Sequence, residues 1–592
     1  METLGRPTDR VAKAARWHVF TVRGPAGPLI RFWASPYRWP GRDFGDVAVS
    51  KPDHPMRLLL STLACLCALA LLALVGGASS SPPAASAQAK SKRPNVVVIM
   101  TDDQTVQDLQ GMTRTKRAIG DRGVTFANSF VSYPLCCPSR ATFLSGQYAH
   151  NHGVMGIQPP TGGYGRFDTA NSLPVWMQQA GYNTSHIGKF LNGYGSDAPA
   201  DVPPGWDEWR GSVDPATYLM WGYTLNENGL FNTYGSENVE DPAIYQTDVY
   251  RDKAVDYIRR RSLKRRPFFL SLAFLAPHHE IRGDRRRLPS RPAPRHLGTM
   301  AGATLPRPPS FGEADLSDKP GYVQRRSPPL SQANIDQITA NYRARQESLL
   351  AVDEAVAAIV GQLRRSGVYE NTYIVFTSDN GFLQGEHRVR SGKTLPYDPS
   401  SRVPLLISGP GIPKGKTSRE LAGNIDLAPT LLDIANGRSG KTMDGRSLLP
   451  YAFDPALRTQ RVLLLETGGQ KPGRLEPDQG PVAPLRNLLT YKAVRTRDYL
   501  YVAYRNGDRE LYDMRRDPHQ LDSRHAATRY RDTRAALGRE LRRLADCRGN
   551  RCRAEAGPIP GRGPKVTGNL GESQQAPAPA PVPVPAPARG RR

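Results

Sequence analysis

The sequence predicts an α/β fold: a large, mostly parallel sheet flanked by helices, followed by a smaller C-terminal α+β subdomain. Three observations carry that prediction. First, residues Asn95 to Met100 form a continuous apolar run, as expected of a strand covered on both faces. Second, such runs alternate with amphipathic helical patterns through residues 90–455, which points to strands joined by helical crossovers. Third, after Pro450 the texture changes to shorter β-like pieces.

The elements follow in order. Phe268 to Phe274, Tyr373 to Phe376 and Val403 to Ile407 have the composition of further buried strands. Leu173 to Ala180 has Asn171 and Ser172 as N-cap candidates and Gly181 as its stop, which predicts a helix. Ala340 to Gly367 is a long amphipathic stretch with Leu349, Leu350, Val352 and Ile359 on one face. Residues 281–335, rich in Arg, Pro, Ser and Gly, are expected to form a long surface insertion. The C-terminal subdomain, residues 456–555, is predicted from Val462 to Leu465, Tyr491 to Val494 and Tyr499 to Tyr504, with a helix near 530–545. Residues 556–592 are rich in Pro and Ala and are expected to be disordered with polyproline character.

The ends of the chain carry targeting information. Arg57 begins an apolar segment that runs to Gly77, and Ala87-Gln88-Ala89 follows as a small-residue cleavage site. Residues 56–89 are therefore expected to be a secretory signal, with membrane attachment only if it stays uncleaved. Met56 directly precedes that segment, and residues 1–55 carry nine Lys or Arg against five Asp or Glu without clear periodicity. Translation is expected to start at Met56, leaving 1–55 as an upstream extension. The chain of 592 residues is 39% hydrophobic, enough for a sizeable core, and has a net charge of +26. That balance fits either polyanionic partners or an arginine-rich bias spread over a solvated surface. No nucleic-acid-binding motif is present, so nucleic acid is not an expected partner. Of six cysteines, Cys65 and Cys67 fall in the signal segment. Cys547 and Cys552 suit a small disulfide in an oxidising compartment. Cys136 and Cys137 remain, and adjacent cysteines rarely bridge to each other.

Three segments bear chemistry. The first strand ends in Thr101-Asp102-Asp103 and the strand at 373 ends in Ser378-Asp379-Asn380. Ligands of open α/β sheets gather at the carboxyl ends of strands, so the two acidic ends can converge. Three carboxylates and an amide suit a hard divalent cation, Ca²⁺ or Mg²⁺. A single Asp-Asp after a strand is more often a turn or a helix cap. The third segment is Cys136-Cys137-Pro138-Ser139-Arg140, which puts a thiol near a helix start with an arginine four residues on. A helix N-terminus and a guanidinium can hold an oxyanion. Taken alone, the cysteines fit either a thiolate nucleophile or a buried pair of small hydrophobes.

Cys136-x-Pro138-Ser139-Arg140, with Leu144 and Ser145-Gly146 after it, resembles the sulfatase signature. Gly181-Tyr182 through Gly188-Lys189 is similar to the second signature of that family, and Ala276-Pro277-His278 to its Ala-Pro-His after a strand. Ser391-Gly392-Lys393 followed by Arg402-Val403-Pro404, and Glu510 to Asp513 followed by Asp517-Pro518, also match in order, so that the resemblance covers about residues 93–550. His150 to Val154, Gly188 to Asn192 and Pro203 to Trp209 narrow it toward the N-acetylglucosamine-6-sulfatase branch, which includes many bacterial arylsulfatases.

The resemblance implies an alkaline phosphatase-like fold and hydrolysis of sulfate esters of a small molecule or sugar. It implies that Cys136 is converted to formylglycine by a formylglycine-generating enzyme during secretion. The aldehyde hydrate would attack sulfur, release the alcohol and then expel sulfate through its second hydroxyl. It places Asp102, Asp103, Cys136, Asp379 and Asn380 at a metal ion, Ca²⁺ with Mg²⁺ as the alternative, Arg140 beside residue 136, Lys189 and Lys393 on the sulfate oxygens, and His278 at the leaving oxygen. His279 is a weaker candidate. One departure stands out: Leu191 occupies the position where many arylsulfatases carry a histidine. The base that releases sulfate is therefore open, with His150, His152, Asn192 and His387 as substitutes. Two other readings stay open: a phosphonate or phosphodiester hydrolase using the same nucleophile, and an inactive polysaccharide-binding protein with an unmodified thiol.

Overall fold

The computed structural model describes residues 93–196, 201–282, 287–468 and 490–561, together with two short strands, Val19–Thr21 and Arg31–Trp33, that pair antiparallel. Those two strands belong to a small unit, residues 1–85; residues 86–592 form the large one. The signal segment, the start at Met56 and the tail from residue 562 fall outside the described residues.

A ten-stranded sheet organises the large unit. In chain order its strands are β1 (Asn95–Thr101), β2 (Gly123–Phe130), β3 (Asn183–Gly188), β4 (Glu208–Ser212), β5 (Tyr223–Glu227), β6 (Leu230–Tyr234), β7 (Phe268–Ala273), β8 (Thr372–Ser378), β9 (Leu405–Ser408) and β10 (Lys416–Gly423). Their spatial order is β10-β2-β9-β8-β1-β7-β3-β4-β5-β6. The central run from β8 to β4 is parallel throughout. The antiparallel pairs lie to either side, at β8/β9, β9/β2, β4/β5 and β5/β6. The mostly parallel sheet expected from the apolar runs is thus present.

The continuous apolar character of β1 has a direct structural cause. Val96, Val98 and Met100 pack on one face, and Val97 and Ile99 on the other. The first face is covered by α1 (Cys136–Ser145), α2 (Leu173–Gln179) and α5 (Leu427–Ala435); the second by α3 (Gln246–Arg261) and α4 (Gln332–Arg365). With helices on both faces, neither set of side chains meets water. Among the described residues, no helix is long and apolar enough to cross a membrane.

Register positions the functional end of the sheet. Ser378 of β8 pairs with Thr101 of β1, Met100 with Ala273 of β7, and Gly188 of β3 with Ala273. Four parallel strands therefore finish level, and the residues that follow each of them are delivered to one place. At Gly188 this levelling requires glycine: its φ is 100°, and a Cβ there would lie 2.0 Å from the Ala273 carbonyl oxygen.

Three local expectations are corrected. The helix expected from Ala340 starts at Gln332, because Ser331 and Asn334 form a capping box that the polar first turns conceal. The strand at Val403 begins at Leu405 and runs antiparallel to its neighbours, as Pro404 can donate no ladder bond. The insertion at 281–335 is not confined to the surface: Leu305, Glu313, Leu316, Lys319, Tyr322 and Val323 are buried.

The C-terminal part forms a four-stranded antiparallel sheet of β11 (Leu463–Glu466), β12 (Tyr491–Arg495), β13 (Tyr499–Tyr504) and β14 (Arg509–Asp513), with α6 (Arg531–Leu544) against it. Cys547 and Cys552 are joined as a disulfide. Arg461, just before β11, is buried and holds both oxygens of Asp426, at 2.6 and 2.5 Å, and the Leu421 carbonyl at 2.9 Å. This pair fastens the small sheet to the end of β10. Arg461→Ala leaves a buried carboxylate without its counter-charge, and we expect a loss of about 3–5 kcal/mol in denaturant unfolding. Adding Asp426→Asn to that variant is expected to restore part of the loss.

Candidate functional site

The level strand ends bring six of the sequence-identified side chains together. Asp102 and Asp103 follow β1, Lys189 follows β3, His278 follows β7, and Asp379 with Asn380 follows β8. In an extended strand, successive side chains point to opposite sides. Asp103 escapes that alternation by adopting φ 66°, a left-handed conformation uncommon outside glycine, and both carboxylates enter the same cluster.

Helix α1 supplies two more groups. Leu135 is extended, the helix begins at Cys136, and Arg140 lies one turn further along the same face. The Cys136 Sγ lies 3.3 Å from Asp102 Oδ1 and 2.8 Å from the Nζ of Lys393. Arg140 binds Asp379 at 2.8 Å, Asp102 at 3.3 Å and the Lys189 carbonyl at 2.8 Å. Lys189 Nζ lies 2.5 Å from Asp102 Oδ2, and Lys393 Nζ 2.6 Å from Asp103 Oδ1. Ser139 fixes the helix to the end of β8: its hydroxyl donates to the Asp379 carbonyl and accepts from Asn424 at 2.9 Å.

The cluster is dry. Asp102, Asp103, Asp379, Asn380, Cys136, Arg140, Lys189, His278 and Lys393 are all buried. Burial alone would raise the Asp102 carboxyl, but Lys189, His278, Arg140 and Lys393 outweigh it and hold that group well below the usual carboxylate range. Asp379 goes the other way: burial and the charge of Asp102 push it up against the pull of Arg140. Burial, reinforced by Asp102, also raises the Cys136 thiol. Cys137 faces the apolar core, where burial pushes its thiol up to about 12. The two adjacent cysteines thus sit in unlike surroundings, and only Cys136 belongs to the polar cluster.

The donor set fits a hard divalent cation. Ligand atoms of Asp102, Asp103, Cys136 and Asp379 all lie within 4.8 Å of one another. Asp103 Oδ2 and Asn380 Oδ1 are buried oxygens without a hydrogen-bond partner among the described residues. An orphaned buried oxygen is costly unless something else binds it. Three carboxylates face the cations of Arg140, Lys189 and Lys393, so a bound divalent ion would leave the cluster net positive and receptive to an anion.

The other candidates are placed elsewhere. His150 binds Glu466 of β11 at 2.8 Å and the Cys547 carbonyl at 3.0 Å. His152 pairs with Thr142 at 3.0 Å, and burial lowers it to about 3. His387 binds Glu313 at 2.6 Å and packs tilted against the Tyr397 ring. Asn192 reaches the cluster indirectly: its amide donates to the Tyr218 hydroxyl at 2.6 Å. Tyr218, which the sequence reading missed, lies 4.6 Å from Lys189 Nζ by its ring centroid and against the His278 ring. Arg345 was missed too. It donates to the Asp103 carbonyl at 2.7 Å and the Pro277 carbonyl at 3.3 Å, tying the ends of β1 and β7. Neither residue has a local sequence signal, since topology alone brings them in. His279 stacks on His278 at 4.1 Å and stays at the margin of the cluster.

Residues 94–437 match the Sulfatase family. The chain is 33% identical over 516 residues to an arylsulfatase of Volvox carteri, covering 79% of this chain and 77% of that one. It is 33% identical over 518 residues to the N-acetylglucosamine-6-sulfatase of Homo sapiens, covering 82% of this chain and 90% of that one. Among solved structures, one determined in complex with its substrate D-glucosamine-2-N,6-O-disulfate aligns with a TM-score of 0.63 at 24% identity, over 78% of this chain and 98% of that one.

The placement of His150 yields a pH prediction. Burial alone would lower its imidazole, but Glu466 raises it above its ordinary 6.5. A raised value means that the pair stabilises fully below 6.5 and that this contribution is lost as pH rises through the raised value. The melting-temperature gap between the unaltered protein and His150→Gln should be widest in mild acid and shrink toward alkaline pH. Activity per folded molecule should not change, because His150 lies outside the cluster.

Proposed function

Since the chain belongs to the sulfatase family and is a sulfuric ester hydrolase, we propose that residue 136 acts as its nucleophile after oxidation of Cys136 to formylglycine. The observation that carries this reading is the position of Cys136 Sγ, at the start of α1 between Lys393 Nζ and Asp102. The relevant substrates are sulfated sugars or aryl sulfates, with a 6-sulfated glucosamine favoured by the branch of relatives. Sulfatases are metal-dependent, and in this reading Asp102, Asp103, Asp379, Asn380 and residue 136 hold Ca²⁺, with Mg²⁺ as the alternative. When bound, the ion supplies Lewis acidity and charge neutralisation at the sulfate oxygens. Secretion through the 56–89 segment would expose the chain to a formylglycine-generating enzyme before folding.

The residues divide the work. A hydrate hydroxyl of residue 136 attacks sulfur, the alcohol departs, and the second hydroxyl expels sulfate as the aldehyde returns. Arg140 holds the start of α1 against Asp102 and Asp379, which fixes the direction from which residue 136 approaches. Lys189 and Lys393 bind sulfate oxygens, and Tyr218 backs Lys189 with its ring face. His278, whose Nε2 lies 3.7 Å from Asp103 Oδ2, protonates the leaving oxygen. The remaining histidines considered as the releasing base are engaged elsewhere. His278, beside the cluster with its Nδ1 held by the His279 carbonyl at 2.7 Å, is therefore the best-placed of the candidates to accept the hydrate proton as well.

Mass spectrometry of the tryptic peptide containing residue 136 tests the nucleophile. Secreted, active protein should show the exchange of SH and H for one oxygen, and should turn over 4-nitrocatechol sulfate far better than a phosphodiester. An alkylatable thiol at 136 in fully active protein would sink the proposal. The acid role of His278 predicts a dependence on the leaving group. His278→Asn should lower kcat/KM, which reports only steps up to departure of the alcohol, by about 10²–10⁴-fold on a sugar sulfate, and much less on 4-nitrocatechol sulfate, whose phenol leaves without help.

A further inference from the structure

Lys393 is delivered by an unusual stretch of chain. Leaving the metal-site end of β8, residues 381–397 fold back as a hairpin in which Leu383 and Gly392 pair. Five residues there have positive φ: Gly385, His387, Arg388, Gly392 and Thr394, three of them not glycine. Non-glycine residues resist this conformation, and such backbone persists only where its surroundings over-determine it.

The surroundings come from the insertion. Phe311 bridges to Glu386, Gly312 N donates to the Gly385 carbonyl at 2.9 Å, and His387 N donates to the Ser310 carbonyl at 2.7 Å. A Cβ at Gly385 would fall 2.2 Å from the Phe311 ring, so the two segments touch as closely as backbone permits. Glu313 is the hub. One of its carboxylate oxygens lies 2.6 Å from His387 Nδ1 and its carbonyl accepts from Arg388 Nε at 2.5 Å. Its other carboxylate oxygen lies 2.9 Å from Lys319 Nζ. Lys319, itself buried, also donates to Asp318 at 2.9 Å and to the Leu521 carbonyl at 2.6 Å, and Asp318 accepts from Ser523 N. A chain of ion pairs and hydrogen bonds, buried at Lys319, Glu313 and His387, therefore runs from the C-terminal part to the hairpin that carries Lys393. Among the described residues, the hairpin reaches the cluster through Lys393, which contacts Asp103 and Cys136.

We propose that Glu313 is a positioning residue for the reaction, and that the insertion and the C-terminal part serve as a clamp holding Lys393 against residue 136. The proposal rests on the reading of Lys393 as a sulfate-binding group. A buried, paired carboxylate at the centre of a network is costly to keep for stability alone. Here it sits where the strained turn at His387 and Arg388 would otherwise relax and carry Lys393 out of the cluster.

A double-mutant cycle separates this role from general stabilisation. The variants are Glu313→Ala, Lys393→Ala and the pair, each matured in a host with formylglycine-generating activity and assayed with 4-nitrocatechol sulfate and with inorganic sulfate as competitor. Glu313→Ala should lower kcat/KM by about 10-fold or more and raise the sulfate inhibition constant in the same direction as Lys393→Ala does. In the Lys393→Ala background it should cost little further. Where the alanine variant does not fold, Glu313→Gln, which keeps the volume but drops the charge facing Lys319, runs through the same cycle. Equal losses from Glu313 substitution with and without Lys393 would overturn the clamp while leaving the role of Lys393 intact. An unchanged kcat/KM in Lys393→Ala would overturn the role of Lys393, and the clamp with it.

Discussion

The contact on which the rest of the site depends is the guanidinium of Arg140 lying between Asp102 and Asp379. Two buried carboxylates from adjacent parallel strands repel one another, and the conflict shows at Asp379, where after burial the charge of Asp102 is the next cause that pushes the group up. Arg140 resolves it with one rigid planar group that reaches both strand ends and the Lys189 carbonyl beyond β3. Burial would lower the arginine's own value, but the two carboxylates outweigh it and raise it, so it stays charged. A lysine has a single point of charge and cannot bridge in this way. Because Arg140 is one turn from Cys136, the same contact sets where α1 begins relative to the sheet. Strand register, helix position and the placement of residue 136 are thus a single constraint.

That constraint explains why so much was legible in the sequence. The apolar runs of β1, β7 and β8 are strong signals because both faces of those strands are covered. Once they are parallel and level, the residues following each strand converge, which made Asp102 and Asp379 legible from chain position; Lys189 and His278, read from the resemblance, follow β3 and β7 to the same place. The alkaline phosphatase-like architecture, expected from the resemblance, is shared with the solved structures of similar fold. What stayed hidden lacks local periodicity. Tyr218 arrives from the short connection between β4 and β5, in a region where sheet pairing turns antiparallel. Arg345 lies on α4 among many polar residues, and its buried position shows only when the helix is docked on β1 and β7. The insertion read as loop because its buried residues are single anchors spaced irregularly between prolines and arginines. Isolated anchors generate neither a period of 2 nor one of 3.6.

Charge balance in the cluster bears on the nature of the nucleophile. Burial and Asp102 both keep a thiol at position 136 in its neutral form, and Lys189 and Lys393 only partly offset them. A catalytic thiolate needs the reverse, an electropositive surrounding with no carboxylate in contact. An aldehyde hydrate has no such need: it is neutral until a proton is drawn off as it attacks. The acidic residues that suppress a thiolate are the ones that would bind a divalent cation. Three carboxylates against three cations leave no net charge to attract a sulfate ester until that ion is present. On the proposed reading, metal binding and anion binding would therefore be coupled by electrostatics, and the arrangement that makes Cys136 a poor thiolate would suit an oxygen nucleophile at residue 136.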